Sequence, residues 1–247
     1  MARILIEVSR LTKSFNGELA VRGLNLTVSQ GEIHGLLGLN GAGKTTTVKC
    51  IVGLLRPDQG EIMIEGRSIF HDNSYKDFTG YLPENPSLPE YLTVEEFLFF
   101  ISRLKGLKGL ELEKCISQVV ELFGLQRYLD KLIFELSKGV RQRIALSAAV
   151  VNNPRILILD EPFNGLDPEA QSIAKLLMKE TAERGGAVLV STHLLDSIER
   201  ICDSATIIHS GRELATGTLD EIRSLAGLSK SAPLEEAFLR IVSRYRS

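Results

Sequence analysis

Gly38-Leu39-Asn40-Gly41-Ala42-Gly43-Lys44-Thr45-Thr46 carries the pattern GxxxxGK[ST]. A backbone without Cβ atoms turns tightly and stands close to an anion, so the N–H groups of such a loop can wrap phosphates. The flanks supply the context the pattern needs: Ile33 to Leu37 reads as a short strand, and Lys44 to Leu54 as the helix that follows. That helix brings the positive end of its dipole to the same place. Lys44 would then set a point charge at the β and γ phosphates of a nucleotide, and the Thr45 hydroxyl would ligate Mg²⁺. Gly38, Asn40, Gly41, Ala42, Gly43 and Thr46 complete the cradle.

A second anchor is Ile156-Leu157-Ile158-Leu159-Asp160-Glu161-Pro162, four apolar residues with two carboxylates at their end. Carboxylates emerging from a buried strand need a cation or a proton to handle. We assign Asp160 to magnesium and Glu161 to general-base work on a water molecule. A phosphate loop with two acids fits a kinase, a GTPase or a helicase equally well, so the intervening segments have to decide.

Outward from these anchors, Ile4, Ile6 and Val8 alternate, as do Leu24, Leu26 and Val28, with Asn16-Gly17 as the turn between two strands. An antiparallel β layer is expected there. From about residue 86 to 152 helical periodicity takes over in Phe97 to Leu104, Cys115 to Phe123 and Ile144 to Val151, and Thr93 with Glu96 forms a capping box. Strands resume at Ile156 to Leu159, Ala187 to Ser191 and Ala205 to His209, and Asp167-Pro168 opens a helix between the first two. Alternating strands and helices predict a mainly parallel sheet, with the helical block inserted between two parts of one α/β core. The last segment, Ala232 to Ser247, puts Leu234, Phe238, Ile241 and Tyr245 on one helical face and is expected to pack on the chain's own core, a dimer or regulatory contact being the alternative.

The 247 residues hold 29 Lys plus Arg against 31 Asp plus Glu, a formal net charge of -2. That balance lacks the basic footprint of a nucleic-acid binder, and no nucleic-acid partner is expected. Three scattered cysteines form no zinc pattern and point to a reducing compartment. The apolar stretches fall far short of the roughly 20 residues a spanning helix needs, and the N-terminus reads as a strand, with no leader pattern.

Between the anchors, Leu136-Ser137-Lys138-Gly139-Val140-Arg141-Gln142-Arg143 resembles the LSGGQ signature of the ATP-binding-cassette (ABC) family. Asn164-Gly165-Leu166-Asp167-Pro168 resembles its D-loop, His193 after a strand its switch histidine, and Gly80-Tyr81-Leu82-Pro83-Glu84 its Q-loop. Phe15 sits where an aromatic stacks on adenine. The resemblance spans about residues 1 to 225, with every mark in the family's order. It implies an α/β fold: a P-loop NTPase core of the ABC ATPase type (1–85 and 153–225) with an antiparallel β layer and an inserted helical subdomain (86–152). Residues 226–247 would be an amphipathic tail.

The resemblance further implies a Mg²⁺-dependent ATPase subunit that powers transport, with export favoured by the LPE and LSKG variants. Two cassettes, identical or different, would meet head to tail with each ATP between the P-loop of one and the signature of the other. Ser137 and the Gly139 backbone would meet that phosphate, Asp167 would signal across the dimer, and His193 would hold the attacking water. Glu84 would reach the metal. The remaining partner would be a separate polytopic membrane permease, with the cassette peripheral on the cytoplasmic face. Three positions depart from the family pattern: Glu84 stands for glutamine, Lys138 for glycine and Val140 for glutamine. A soluble ABC ATPase in nucleic-acid or ribosome work, or a regulatory ATP-binding module, are the alternative readings.

Overall fold

The computed structural model describes residues 3–245, so the outermost residues of both expected end segments, 1–2 and 246–247, lie outside the description. Strand β1 (Ile4–Phe15) turns at Asn16-Gly17 into β2 (Glu18–Ser29), and both turn residues have positive φ, 50° and 85°. Such a two-residue turn matches the right-handed twist of the flanking strands. The alternation read for β1 breaks at its start: a register shift between Ile4 and Ile6 leaves Ile4 exposed and buries Leu5.

After β3 (Ile33–Leu37) comes α1 (Lys44–Ile51), which stops short of the expected Leu54. Gly53 takes φ 74°, a left-handed conformation that ends a helix without strain. Strands β4 (Gln59–Ile64) and β5 (Arg67–Ser68), absent from the sequence reading, complete an antiparallel sheet in the order β2-β1-β4-β5. Then β6 (Thr79–Leu82) leads into the helical block, α2 (Val94–Leu104), α3 (Gly109–Leu122) and α4 (Lys138–Val150). The capping box at α2 forms in both directions, Glu96 N–H to Thr93 Oγ1 at 3.2 Å and Thr93 N–H to Glu96 Oε2 at 2.8 Å.

The chain returns through β7 (Ile156–Asp160), α5 (Pro168–Glu183), β8 (Ala187–Thr192), the one-turn α6 (Leu195–Ile198), β9 (Ser204–His209) and β10 (Arg212–Thr218). The second sheet runs β10-β9-β3-β8-β7-β6, parallel except for β10 against β9. Its central strands β3, β7 and β8 are buried along their whole length and mostly apolar, because both faces are covered. Ile156, Ile158 and Leu189 face the antiparallel layer and α1, while Leu157, Leu159, Val188 and Val190 face the helices.

The chain ends in α7 (Leu219–Leu225) and α8 (Leu234–Ser243). Leu234, Ala237, Phe238, Ile241 and Val242 are buried in the main core, so the tail helix packs on its own chain. Tyr245 does not join that face: the helix closes at Ser243 and the tyrosine is 60% exposed beyond it.

Candidate nucleotide site

Parallel strands β3, β8 and β7 deliver their carboxyl ends to one edge of the sheet, the position where open α/β folds bind ligands. The loop after β3 is shaped by close backbone approach. A Cβ on Gly38 would lie 2.6 Å from the Ile208 carbonyl, and one on Gly43, at φ 107°, only 2.5 Å from the Ala20 carbonyl. Gly41 has open space around it, so its missing Cβ leaves room on the cradle's outer side. The resulting cavity of about 220 Å³ is lined by Asn40 to Thr46, Glu84, Glu161 and Ala20.

Lys44 is buried beneath the cradle, its Nζ donating to Gly38 O at 2.9 Å and pairing with Glu161 Oε1 at 3.1 Å. Glu161 also accepts from Thr192 Oγ1 at 3.0 Å and meets His193 Nδ1 at 2.9 Å. Burial pushes its carboxyl up, but the His193 hydrogen bond, the Lys44 charge and Thr192 outweigh this and hold it below the ordinary value. An ionised carboxylate beside a reacting water is what a general base requires. Its backbone has φ 50°, an uncommon conformation for a non-glycine residue, of the kind that collects at functional sites.

Asp160 differs from its neighbour. Burial raises its proton affinity, the charges of Glu84 and Glu161 raise it further, and the Ser191 hydroxyl bonded to Oδ1 only partly opposes them. Its Oδ2 is buried without a hydrogen-bond partner. Thr45 Oγ1 donates to Glu84 Oε2 at 3.4 Å, and both side chains act on the Asp160 carboxyl, so hydroxyl and carboxylate oxygens gather beside that orphan oxygen. This donor chemistry fits Mg²⁺, which takes oxygen ligands and relieves a clustered negative charge.

The remaining expected residues lie apart from the cradle. Phe15 stands 45% exposed near the end of β1, with Lys13 Nζ 5.5 Å above its ring. Ser137 caps α4 by accepting from Val140 N–H at 3.4 Å, and neither it nor Gly139 lines the phosphate cavity. Asp167 caps α5 through Ala170 N–H at 2.9 Å and pairs with Arg143 of α4. His193 reaches the cradle through Glu161 and itself lines a neighbouring cavity.

Of the departures, Lys138 is tolerated because it is the first residue of α4 with ordinary φ, its stem running beside Gly165. Gly139 has a steric reason, since a Cβ there would press to 3.1 Å on the Gly165 carbonyl. Sequence reasoning missed Ala20, Arg143, Ser191 and Thr192. Arg143 closes the quoted signature and Ser191-Thr192 directly precede His193, which was the available signal.

A phosphate cradle, a buried lysine and two unlike carboxylates at one sheet edge define a P-loop nucleotide hydrolase. Residues 21–164 match the family described as "ABC transporter", and residues 132–198 also match one described as "AAA domain, putative AbiEii toxin, Type IV TA system". The chain is 36% identical to the ABC-type transporter ATP-binding protein EcsA of Bacillus subtilis, over 96% of each chain. It is 33% identical to the Nod factor export ATP-binding protein I of a Rhizobium species, over 88% of this chain and 72% of that one. A solved ATP-binding subunit of an ABC transporter superimposes with TM-score 0.91 at 38% identity, covering 96% and 99% of the two chains. The cassette MJ0796, solved as a dimer in a post-hydrolysis state with ADP and Pi, gives 0.79 at 25% identity, covering 87% and 98%.

The chain belongs to the ABC transporter family. It is an ATP-binding, ATP-hydrolysing subunit of such a transporter.

Proposed function

We propose that this subunit drives export through a separate polytopic permease by closing and reopening an ATP-loaded dimer of cassettes. The observation that carries the reading is the separation, within one chain, of the phosphate cradle from Ser137 and Gly139. A helix N-terminus presenting a serine is a second anion site, and one chain needs a second cassette to bring it to its own ATP. The dimeric post-hydrolysis neighbour and the export role in a relative's name support the same reading.

Within the site, Lys44 and the loop from Gly38 to Thr46 bind the phosphates and Phe15 stacks on the adenine. Thr45, Glu84 and Asp160 would hold Mg²⁺, which would supply neutralisation of the β and γ phosphates. Glu161 takes the proton of the attacking water, and His193, held by Glu161, keeps that water in line. Asp167 links the two sites across the dimer, steadied by Arg143.

Residues 1–85 and 153–225 form the catalytic core in this reading, 86–152 the signature subdomain and 226–247 the tail. Among the described residues no helix is long and apolar enough to cross a membrane. Tyr91, Phe99, Phe100 and Leu104 are exposed on the helical block, and Tyr91 meets Phe134 with ring centroids 6.4 Å apart. This aromatic face would receive the permease at the cytoplasmic surface.

The test is affinity purification of the Glu161→Gln chain from detergent-solubilised native membranes with ATP and Mg²⁺. Recovery of a polytopic membrane protein is expected. Recovery of a ribosome or nucleic-acid complex in its place would overturn the transporter assignment of this chain's working partner.

A further inference from the structure

The turn that carries His193 is built on the C-terminal tail. Its only regular element is α6, four residues long, and a single helical turn does not hold itself in water. What holds it is tertiary. Leu195 and Ile198 are buried in the same core as Leu234, Ala237 and Phe238 of α8. At the end of α6, Glu199 Oε1 accepts two hydrogen bonds, from Arg223 Nη2 at 2.6 Å and from the Leu234 N–H at 3.1 Å.

One carboxylate oxygen therefore ties the His193 turn both to α7 and to the first residue of α8. Arg223 is itself buried, and its Nε donates to the Ala232 carbonyl at 2.9 Å, so the guanidinium of α7 holds the connection that leads into the tail helix α8. Its Nη1 also meets Asp220 at 3.3 Å. A cavity of about 230 Å³ beside His193 is walled by the turn on one side and by Glu235, in the first turn of α8, on the other. Both family matches end before Glu199, so this clasp lies in a part of the chain they leave unassigned.

We propose that the Glu199–Arg223 clasp makes the tail helix a positioning element for His193, so that the C-terminal segment sets the rate of hydrolysis without touching ATP. Glu199 and Arg223 are positioning residues: they act through the backbone of the turn. The proposal rests on His193 serving the hydrolytic step, as argued above.

Two variants of the full chain test it, Glu199→Gln, which removes the charge, and Arg223→Lys, which keeps charge but loses the fork. Each is measured for steady-state turnover with Mg²⁺ and ATP and for amide exchange, alongside His193→Ala. The expected result for either clasp variant is a kcat about tenfold lower with KM for ATP unchanged, and faster exchange at residues 193–198 with none at 44–51. The second variant decides if the first does not fold.

Turnover within twofold of the parent despite faster exchange at 193–198 would overturn the proposal, as would kcat and ATP affinity falling together, which marks general structural damage. Full turnover in His193→Ala would instead remove the role of His193, and the proposal with it.

Discussion

Lys44 Nζ lies 3.1 Å from Glu161 Oε1, with the two side chains only 5% and 4% exposed. The residue expected to bind phosphate and the residue expected to activate water are thus one buried ion pair. A triphosphate bound as proposed would compete with Glu161 for the lysine. In the proposed mechanism each step toward that contact would free the carboxylate to act as a base, while the His193 and Thr192 hydrogen bonds hold it in place.

Lys44→Ala removes the phosphate contact and leaves a buried carboxylate without its cation. ATP affinity measured by calorimetry is expected to fall at least ~100-fold, the scale of a lost charge-assisted contact. Urea unfolding should show a loss of about 3 kcal/mol, the usual penalty for breaking a buried pair by removing one partner. Unchanged affinity would refute the lysine's assignment.

Glu161→Gln keeps the shape of the side chain and its contact with Thr192 but cannot take a proton. Turnover should drop by ~10² or more while ATP still binds, and sedimentation velocity should show an ATP-dependent dimer. Undiminished hydrolysis would mean that a different group activates the water.

Gly43→Ala and Gly41→Ala separate two reasons for glycine in one loop. At Gly43 the new Cβ meets the Ala20 carbonyl at 2.5 Å in a conformation of φ 107°, whereas at Gly41, φ 79°, it meets open space. Both should weaken ATP binding, but thermal melts should show a large loss of stability for Gly43→Ala and only the left-handed penalty, about 1 kcal/mol, for Gly41→Ala. Equal losses would contradict the close approach of the loop to β2.

Glu32 gives a pH signature. Burial pushes its carboxyl up, yet hydrogen bonds from His34, Ser204 and the Ser29 N–H bring it from 4.5 to about 2. A folded value below the unfolded one means that its stabilisation is fully present above pH 4.5 and is lost as pH falls from there toward 2. Allowing for solvent screening of a half-buried group, that is about 2 kcal/mol. The difference in urea midpoint between the parent and Glu32→Gln should therefore shrink across that window. A difference independent of pH would show that the ionised form is not the one stabilised.

The tail separates what could be read from what could not. Amphipathic spacing correctly gave Leu234, Phe238 and Ile241 as a buried face. Tyr245 continues the spacing and is exposed, because periodicity alone does not say where a helix stops. In β1 the alternation of Ile4, Ile6 and Val8 could not reveal the register shift that turns Ile4 outward, since pairing partners are far away in sequence. β4 and β5 went unread because β4 buries only Ile62 and Ile64 and β5 has two residues, so neither carries much apolar pattern.

By itself, the sequence determined the local chemistry: a loop from Gly38 to Thr46 able to wrap phosphates, two acids at the end of an apolar strand, and caps at Thr93 and Asp167. These follow from residue types at short fixed spacings, where backbone geometry leaves few choices. Only the tertiary structure decided which groups meet. It paired Lys44 with Glu161, set Ser191 and Thr192 under two acids on the neighbouring strand, joined Arg143 to Asp167, and tied the His193 turn to α8 through Glu199. Each of those contacts bridges separate elements. Their positions are set by sheet order and by the burial of both sheet faces, which no local spacing encodes.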